Sequence, residues 1–298
     1  MIDLSKANIQ KINLPNDYIN ADILRIDKIN EIVSGNKWFK LKYHLDHIEK
    51  NKYKTILTFG GSYSNHLVAT AYTAKQLSLN SIGIIRGEEP KNLSHTLKDC
   101  LDYGMKLKFI TRAEYKSKDT NDFISRLKQS FDDFYLIPEG GYSELGRLGA
   151  EDIIRLCDHK KYTHIMCAIG TGTMFFGIAN ASNLNQEIIG IPVLKEMEDF
   201  LLQNNKYFKD QKKIEYCKIF TNYHFGGYAK KDSILLNFMN HLYNEQNIPT
   251  DFVYTGKLTY AFFDLFKKRY FPKDSSVLLI HSGGLQGNLS LKKNELNF

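Results

Sequence analysis

The chain has 298 residues, 43% hydrophobic and 13% aromatic, enough for one large domain or two interleaved ones with a sizeable core. Its net charge of +7 is scattered over short, separate lysine-rich stretches with no aromatic-and-basic module among them, which argues for solvated faces and against a nucleic-acid groove. Four widely spaced cysteines, an N-terminus without an apolar core and an apolar stretch at 163–181 interrupted by Gly-Thr-Gly-Thr argue against a disulfide framework, a metal cluster, a signal peptide and a membrane span, so a cytoplasmic protein is expected.

Short apolar runs alternate with helix-period segments along the chain. A helical pattern starts at the aromatic pair Trp38-Phe39. KTILTFG (54–60) then reads as a strand and NHLVATAYTAKQL (65–77) as a helix. SIGIIRG (81–87) is a strand, and NLSHTLKDCLDYG (92–104) a helix stopped by Gly104. LKFIT (107–111) and NDFISRLKQSF (121–131) repeat the alternation, as do FYLIPEGG (134–141) and LGAEDIIRLCDH (148–159). THIMCAIG (163–170) is a strand, with a helix opening in the glycines after it. EIIGIPVL (187–194), CKIF (217–220) and SVLLIHSGG (276–284) are further strands; DSILLNFMNHLY (232–243) and LTYAFFDLFKKRYF (258–271) are helices. Apolar strands alternating with helices mark an α/β fold with parallel sheets covered on both faces. No Pro/Gly-rich linker divides the chain, so a second domain is expected as an insertion.

In such sheets ligands bind beyond the carboxyl ends of the strands. Four small-residue clusters fall there: GGSYSNH (60–66), PEGGYSELG (138–146), GTGT (170–173) and HSGG (281–284). Gly170, Thr171, Gly172 and Thr173 join a strand to a helix, where glycine admits a close backbone approach and the helix start offers free N–H groups to an anion. They read as a phosphate cradle or as a plain turn, and their spacing matches neither the P-loop nor the dinucleotide fingerprint. Ser62, Ser64, Asn65 and His66 stand at a helix entry, as caps or as a second nest sized for a carboxylate. Lys37 follows the turn Gly35-Asn36, either as surface decoration or as an amine held to attack a carbonyl. A lysine amine and a bound phosphate in one cleft point to pyridoxal phosphate held as a Schiff base.

SGNKWFKL, GGSYSNH, PEGGYSELG, GTGT, YTGK and HSGG occur in the order seen in the D-cysteine desulfhydrase / 1-aminocyclopropane-1-carboxylate deaminase family, which the chain resembles from about Arg25 to about Gly287. The resemblance implies a pyridoxal 5'-phosphate enzyme of tryptophan-synthase-β-like fold (fold type II), with two interleaved domains of mainly parallel sheets flanked by helices. Residues 1–44 and 135–298 are then the large cofactor domain, and 45–134 a smaller inserted α/β domain. It implies Lys37 as the Schiff-base lysine, Lys40 reaching the cofactor phosphate, and Gly170, Thr171, Gly172, Thr173 and Met174 as the phosphate cradle. Asn65 resembles the asparagine at the ring hydroxyl, while Ser64 with the backbone of Asn65 and His66 resembles the substrate-carboxylate loop. Ser64, Tyr254 and Tyr228 join Lys37 as expected catalytic residues. No metal is implied; a small amino-acid substrate and a homodimer are.

Phe39 stands where the family has arginine, Thr173 where it has a second glycine, Met174 where it has threonine, and Ala229-Lys230 follow Tyr228 in place of the usual continuation. Thr255 and Ser282 bear on the reaction. Ring-opening members carry a glutamate facing the pyridine nitrogen and a leucine at these positions, and the desulfhydrases carry hydroxyls. The resemblance therefore implies β-elimination, most directly D-cysteine to pyruvate, ammonia and sulfide. The alternatives are 1-aminocyclopropane-1-carboxylate ring opening, racemisation, and a protein that binds cofactor without catalysis.

Overall fold

A computed structural model describes residues 2–131 and 133–298. Among these residues ten strands form two sheets. The smaller has the order β5 (Met105–Ile110), β4 (Asn80–Arg86), β3 (Thr55–Gly60), β6 (Tyr135–Ile137), every pair parallel. The larger runs β1 (Asn8–Lys11), β2 (Asn20–Arg25), β10 (Ser276–Ile280), β7 (His164–Ile169), β8 (Glu187–Pro192), β9 (Cys217–Ile219), parallel except for β1 against β2. The helices are α1 (Asn36–Lys50), α2 (Asn65–Gln76), α3 (His95–Asp102), α4 (Arg112–Tyr115), α5 (Asn121–Ser130), α6 (Glu144–Glu151), α7 (Thr173–Ala181), α8 (Phe200–Gln203), α9 (Ser233–Gln246) and α10 (Thr255–Lys267). None among the described residues is long and apolar enough to cross a membrane.

Every residue of β7 is buried because the sheet is covered on both sides. Ile165, Cys167 and Ile169 pack with Phe39 of α1 and Phe175 of α7, while Met166 and Ala168 pack with Leu258 and Phe262 of α10. Each large apolar side chain so enclosed contributes about 1.5–3 kcal/mol. Helix α1 joins the two sheets. Its Phe39 enters the large core, whereas Leu41, Leu45 and Ile48 pack with Ile56 of β3 and Ile137 of β6. The carboxyl ends of β3 and β4 thereby face those of β7 and β10 across one cleft.

Three departures from the sequence expectations have local causes. The small sheet ends with Tyr135–Ile137, past the boundary expected at 134, because Leu136 registers on Leu57 of β3. The helix expected over 148–159 starts earlier, at Glu144 under a Ser143 cap, and stops at Glu151. Gly149 lies so close to α1 that a Cβ there would stand 1.8 Å from the Phe39 carbonyl oxygen, and Asp152 is held by Lys42 and Tyr43. Beyond it the chain continues as 3₁₀ turns. The β1–β2 pair has no long apolar run to announce it: NIQK is half exposed at the sheet edge.

Candidate active site

The cleft between the sheets holds a cavity of about 390 Å³. Lys37 reaches it from the first turn of α1, and the turn before it is stapled to the end of β10. Gly35 sits at φ +62°, and a Cβ there would stand 2.0 Å from the Ser282 carbonyl oxygen, so only glycine fits. The Asn36 amide donates to that same oxygen at 3.1 Å, and the Gly35 amide to Ile26 O at 3.1 Å. Lys37 Nζ donates to Asn36 Oδ1 at 2.7 Å and lies 5.9 Å from the centre of the Tyr254 ring. Burial lowers its pKa to about 8, with the Asp251 carboxylate pulling the other way. A useful fraction of neutral amine thus exists near neutral pH, as attack on a carbonyl requires. Lys40, one turn on, is buried, and no carboxylate pairs with it among the described residues. Burial, then repulsion from Lys37, holds its pKa well below the usual lysine range. A buried amine of this kind favours an anionic ligand.

The loop after β7 supplies Gly170, Thr171, Gly172 and Met174 to the cavity. Gly172 is left-handed at φ +87°, and a Cβ on it would stand 2.7 Å from Phe200 Cζ. Thr173, the first residue of α7, is fully buried behind the wall, its hydroxyl 2.9 Å from that of Thr171. Asn36 Nδ2 reaches Met174 Sδ at 3.4 Å.

The small sheet contributes the N-terminus of α2. Ser64 caps it by accepting from the Leu67 amide at 3.4 Å. Asn65 Oδ1 faces the cavity buried and without a protein partner. His66 Nε2 lies 3.0 Å from Thr58 Oγ1, whose own proton goes to Ile137 O at 2.8 Å, so His66 donates there. Burial, then the charges of Lys37 and Lys40, keep its pKa well below the usual range, and the ring is neutral.

The third wall carries Tyr254, Tyr228 and Ser282. The tyrosine rings meet edge to face with centroids 6.2 Å apart. Burial raises both phenol pKa values, so both hydroxyls keep their protons. Thr255 is fully buried and does not line the cavity. Its hydroxyl donates to Asp251 Oδ1 at 2.7 Å. Phe39 is likewise a core residue, outside the cavity.

The cleft therefore gathers Lys37, Lys40, Ser64, Asn65, His66, Gly170, Thr171, Gly172, Met174, Tyr228, Tyr254 and Ser282, and leaves Thr173 and Thr255 behind its walls. Four further residues escaped the sequence reading. Arg86 and Glu139 line the mouth; Asp251 and Lys257 lie buried behind the tyrosines. Among the described residues no group of three or more His, Cys, Asp or Glu could hold a metal.

An amine with lowered pKa beside an anion cradle, at the carboxyl ends of two parallel sheets, is the arrangement of a cofactor-dependent enzyme. The chain belongs to the family described as pyridoxal-phosphate dependent enzyme, which matches residues 24–283. Its relatives place it in the 1-aminocyclopropane-1-carboxylate deaminase and D-cysteine desulfhydrase group. A Pyrococcus horikoshii protein provisionally named 1-aminocyclopropane-1-carboxylate deaminase is 29% identical, covering 90% of this chain and 86% of that one. The D-cysteine desulfhydrase of Salmonella typhi is 26% identical over 90% of this chain and 88% of its own. A crystal structure described as an ACC deaminase homologue superposes with a TM-score of 0.77 at 27% identity, covering 95% of this chain and 90% of that one.

The residues present fit pyridoxal phosphate. The lone buried Lys40 amine and the Gly170–Met174 loop suit its phosphate, and the unpartnered Asn65 Oδ1 suits a ring hydroxyl. The Lys37 amine suits its carbonyl carbon. When bound, the cofactor supplies an electron sink for the α-carbon of an amino acid.

Proposed function

We propose that the enzyme carries out β-elimination on a small amino acid, with D-cysteine as the leading substrate: D-cysteine and water give pyruvate, ammonia and hydrogen sulfide. In this reading Lys37 holds the cofactor and takes the proton from the substrate α-carbon. The N-terminus of α2, at Ser64, Asn65 and His66, receives the substrate carboxylate. Tyr254 and Tyr228 keep their protons near neutral pH and donate to the departing group.

One observation carries the choice of reaction. The wall formed by 251–255 and 282–284 offers the cavity no free carboxylate. Ser282 presents a neutral hydroxyl there, and Asp251 lies behind with both oxygens occupied by Val253, Tyr254 and Thr255. Without a carboxylate to keep the ring nitrogen protonated, the sink is weaker. That suffices to remove an acidic α-hydrogen and expel a good leaving group. It is poorly suited to opening a cyclopropane, which has no α-hydrogen to lose. The placement of Phe39 in the core also weakens the reading of a binding protein without catalysis, since that departure is a matter of packing.

The test uses purified holoenzyme with D-cysteine, L-cysteine and 1-aminocyclopropane-1-carboxylate under identical conditions. Pyruvate with matching ammonia and sulfide is expected from a cysteine. Faster 2-oxobutanoate release from the cyclopropane would overturn the reading while leaving the cofactor in place.

A further inference from the structure

Arg86 ends β4 at the mouth of the cavity. It is exposed, and among the described residues no carboxylate lies within ion-pairing distance of its guanidinium. Its Nη2 rests against the loop before α2: a Cβ placed on Gly61 would stand 3.5 Å from it. The Tyr115 ring supports the other side, 5.9 Å from the guanidinium carbon. Its charge also reaches Tyr228 on the opposite sheet's side of the cleft, where it works against the upward effect of burial on that phenol. Glu139, the carboxylate that lines the same mouth, is shared with Lys118 at 3.5 Å.

Among the described residues three lysine or arginine side chains line the cavity, and Lys37 and Lys40 suffice for the cofactor. The α2 N-terminus suffices for the substrate α-carboxylate. A small amino acid fixed at both places has its side chain left to meet the third basic group. We infer that Arg86 is a specificity-determining residue that selects amino acids with a negatively charged group on the β-carbon, such as a thiolate, sulfonate or sulfate. The inference rests on the proposed placement of cofactor and α-carboxylate. A guanidinium at a half-open mouth forms a charge-assisted but partly screened contact, so the preference should be about tenfold.

The probes are cysteate, whose sulfonate is always ionised, and 2-aminobutyrate, its neutral counterpart, each in D and L form. Binding to the holoenzyme is measured by calorimetry. In the preferred hand, cysteate should bind about tenfold tighter than 2-aminobutyrate; R86Q should erase that difference while leaving the visible cofactor absorbance and 2-aminobutyrate affinity unchanged. In the wild type, added salt should shrink the preference without affecting 2-aminobutyrate, a check that requires no variant. Equal affinity for the two probes in the wild type would overturn the inference. So would an equal loss of both in R86Q, which would make Arg86 an anchor for the α-carboxylate. Pyruvate release from β-chloroalanine, whose leaving group is uncharged when bound, tests elimination separately. No pyruvate alongside an intact cysteate preference would sink the elimination reading and leave Arg86 as the reader of side-chain charge.

Discussion

Asp251 Oδ1 accepts from both the amide and the hydroxyl of Thr255, at 2.8 and 2.7 Å. Its Oδ2 accepts from the amides of Val253 and Tyr254 at 3.0 and 2.8 Å. One buried carboxylate thus satisfies the first free N–H group of α10, at Thr255, and the two amides before it, and so fixes the backbone that carries Tyr254. The Thr255 hydroxyl is committed to this cap. Thr255 lies behind the cavity wall with its hydroxyl on that carboxylate.

Asp251→Asn should therefore act twice. Its amide nitrogen would confront backbone donors, costing about 1–3 kcal/mol of stability, read by urea unfolding. It would also remove the charge that raises the Lys37 pKa against burial, so that value should fall below about 8. The pH dependence of cofactor uptake by the apoenzyme reports it: the midpoint should move to lower pH. An unmoved midpoint would show that Asp251 acts only as a cap.

Lys257 does for Tyr228 what Asp251 does for Tyr254. It is fully buried, and its Nζ donates to His224 O and Gly227 O, each at 2.8 Å. The loop it ties holds Phe225 at φ +51° and Ala229 at φ +53°, conformations that relax once released. Lys257→Met should raise amide hydrogen exchange across residues 221–230 and raise KM, with the cofactor absorbance kept. Unchanged exchange in that segment would remove Lys257 from any role in placing Tyr228.

What the sequence made legible was local. Gly35-Asn36 marks the Lys37 turn because the steric demand lies within two residues, and β7 is an unbroken apolar run because both faces are covered. What it hid depends on partners far along the chain. Asp251 in TDFVYT looks like an ordinary loop residue until it is seen capping a helix that begins four residues later, three before the apolar pattern suggests. Lys257 resembles the chain's many surface lysines, and only the packing of α10 against the 224–227 loop buries it. Arg86 closes an apolar strand with a charge, as surface strands often do. Its place in the cleft follows from how the two sheets face each other.

The phosphate loop can be tested through its backbone. Gly172→Val would put a branched side chain at φ +87° with its first carbon 2.7 Å from Phe200 Cζ. Thr171→Ala removes a hydroxyl that lies 2.9 Å from Thr173 Oγ1, together with one methyl group, and leaves the backbone free to keep its course. Equilibrium dialysis should show cofactor affinity falling at least about tenfold further in the valine variant, since backbone approach carries the contact. Comparable losses in the two would assign the phosphate to side-chain hydroxyls instead.

Acid should weaken the join between the two sheets, and His44 is a named cause. On α1, its Nδ1 lies 2.8 Å from the Tyr135 hydroxyl of β6, and its Nε2 lies 2.7 Å from Ser143 Oγ, the cap of α6. Burial, with a smaller push from His47, lowers its pKa from 6.5 to about 4. Above pH 6.5 the ring is neutral in both folded and unfolded chains and imposes no proton-linked penalty. As pH falls from 6.5 toward 4 the unfolded chain takes up a proton that the folded one refuses, so stability is lost across that window and levels off below it. The full loss from this one group is up to about 3 kcal/mol. His44→Gln should be less stable than wild type at pH 8, where the paired ring is intact, and should lose less stability between pH 6.5 and 4.5. Urea unfolding midpoints at the three pH values decide it. A variant whose midpoint falls as steeply as that of the wild type would place the acid sensitivity on other groups, with buried, neutral His66 the next to examine.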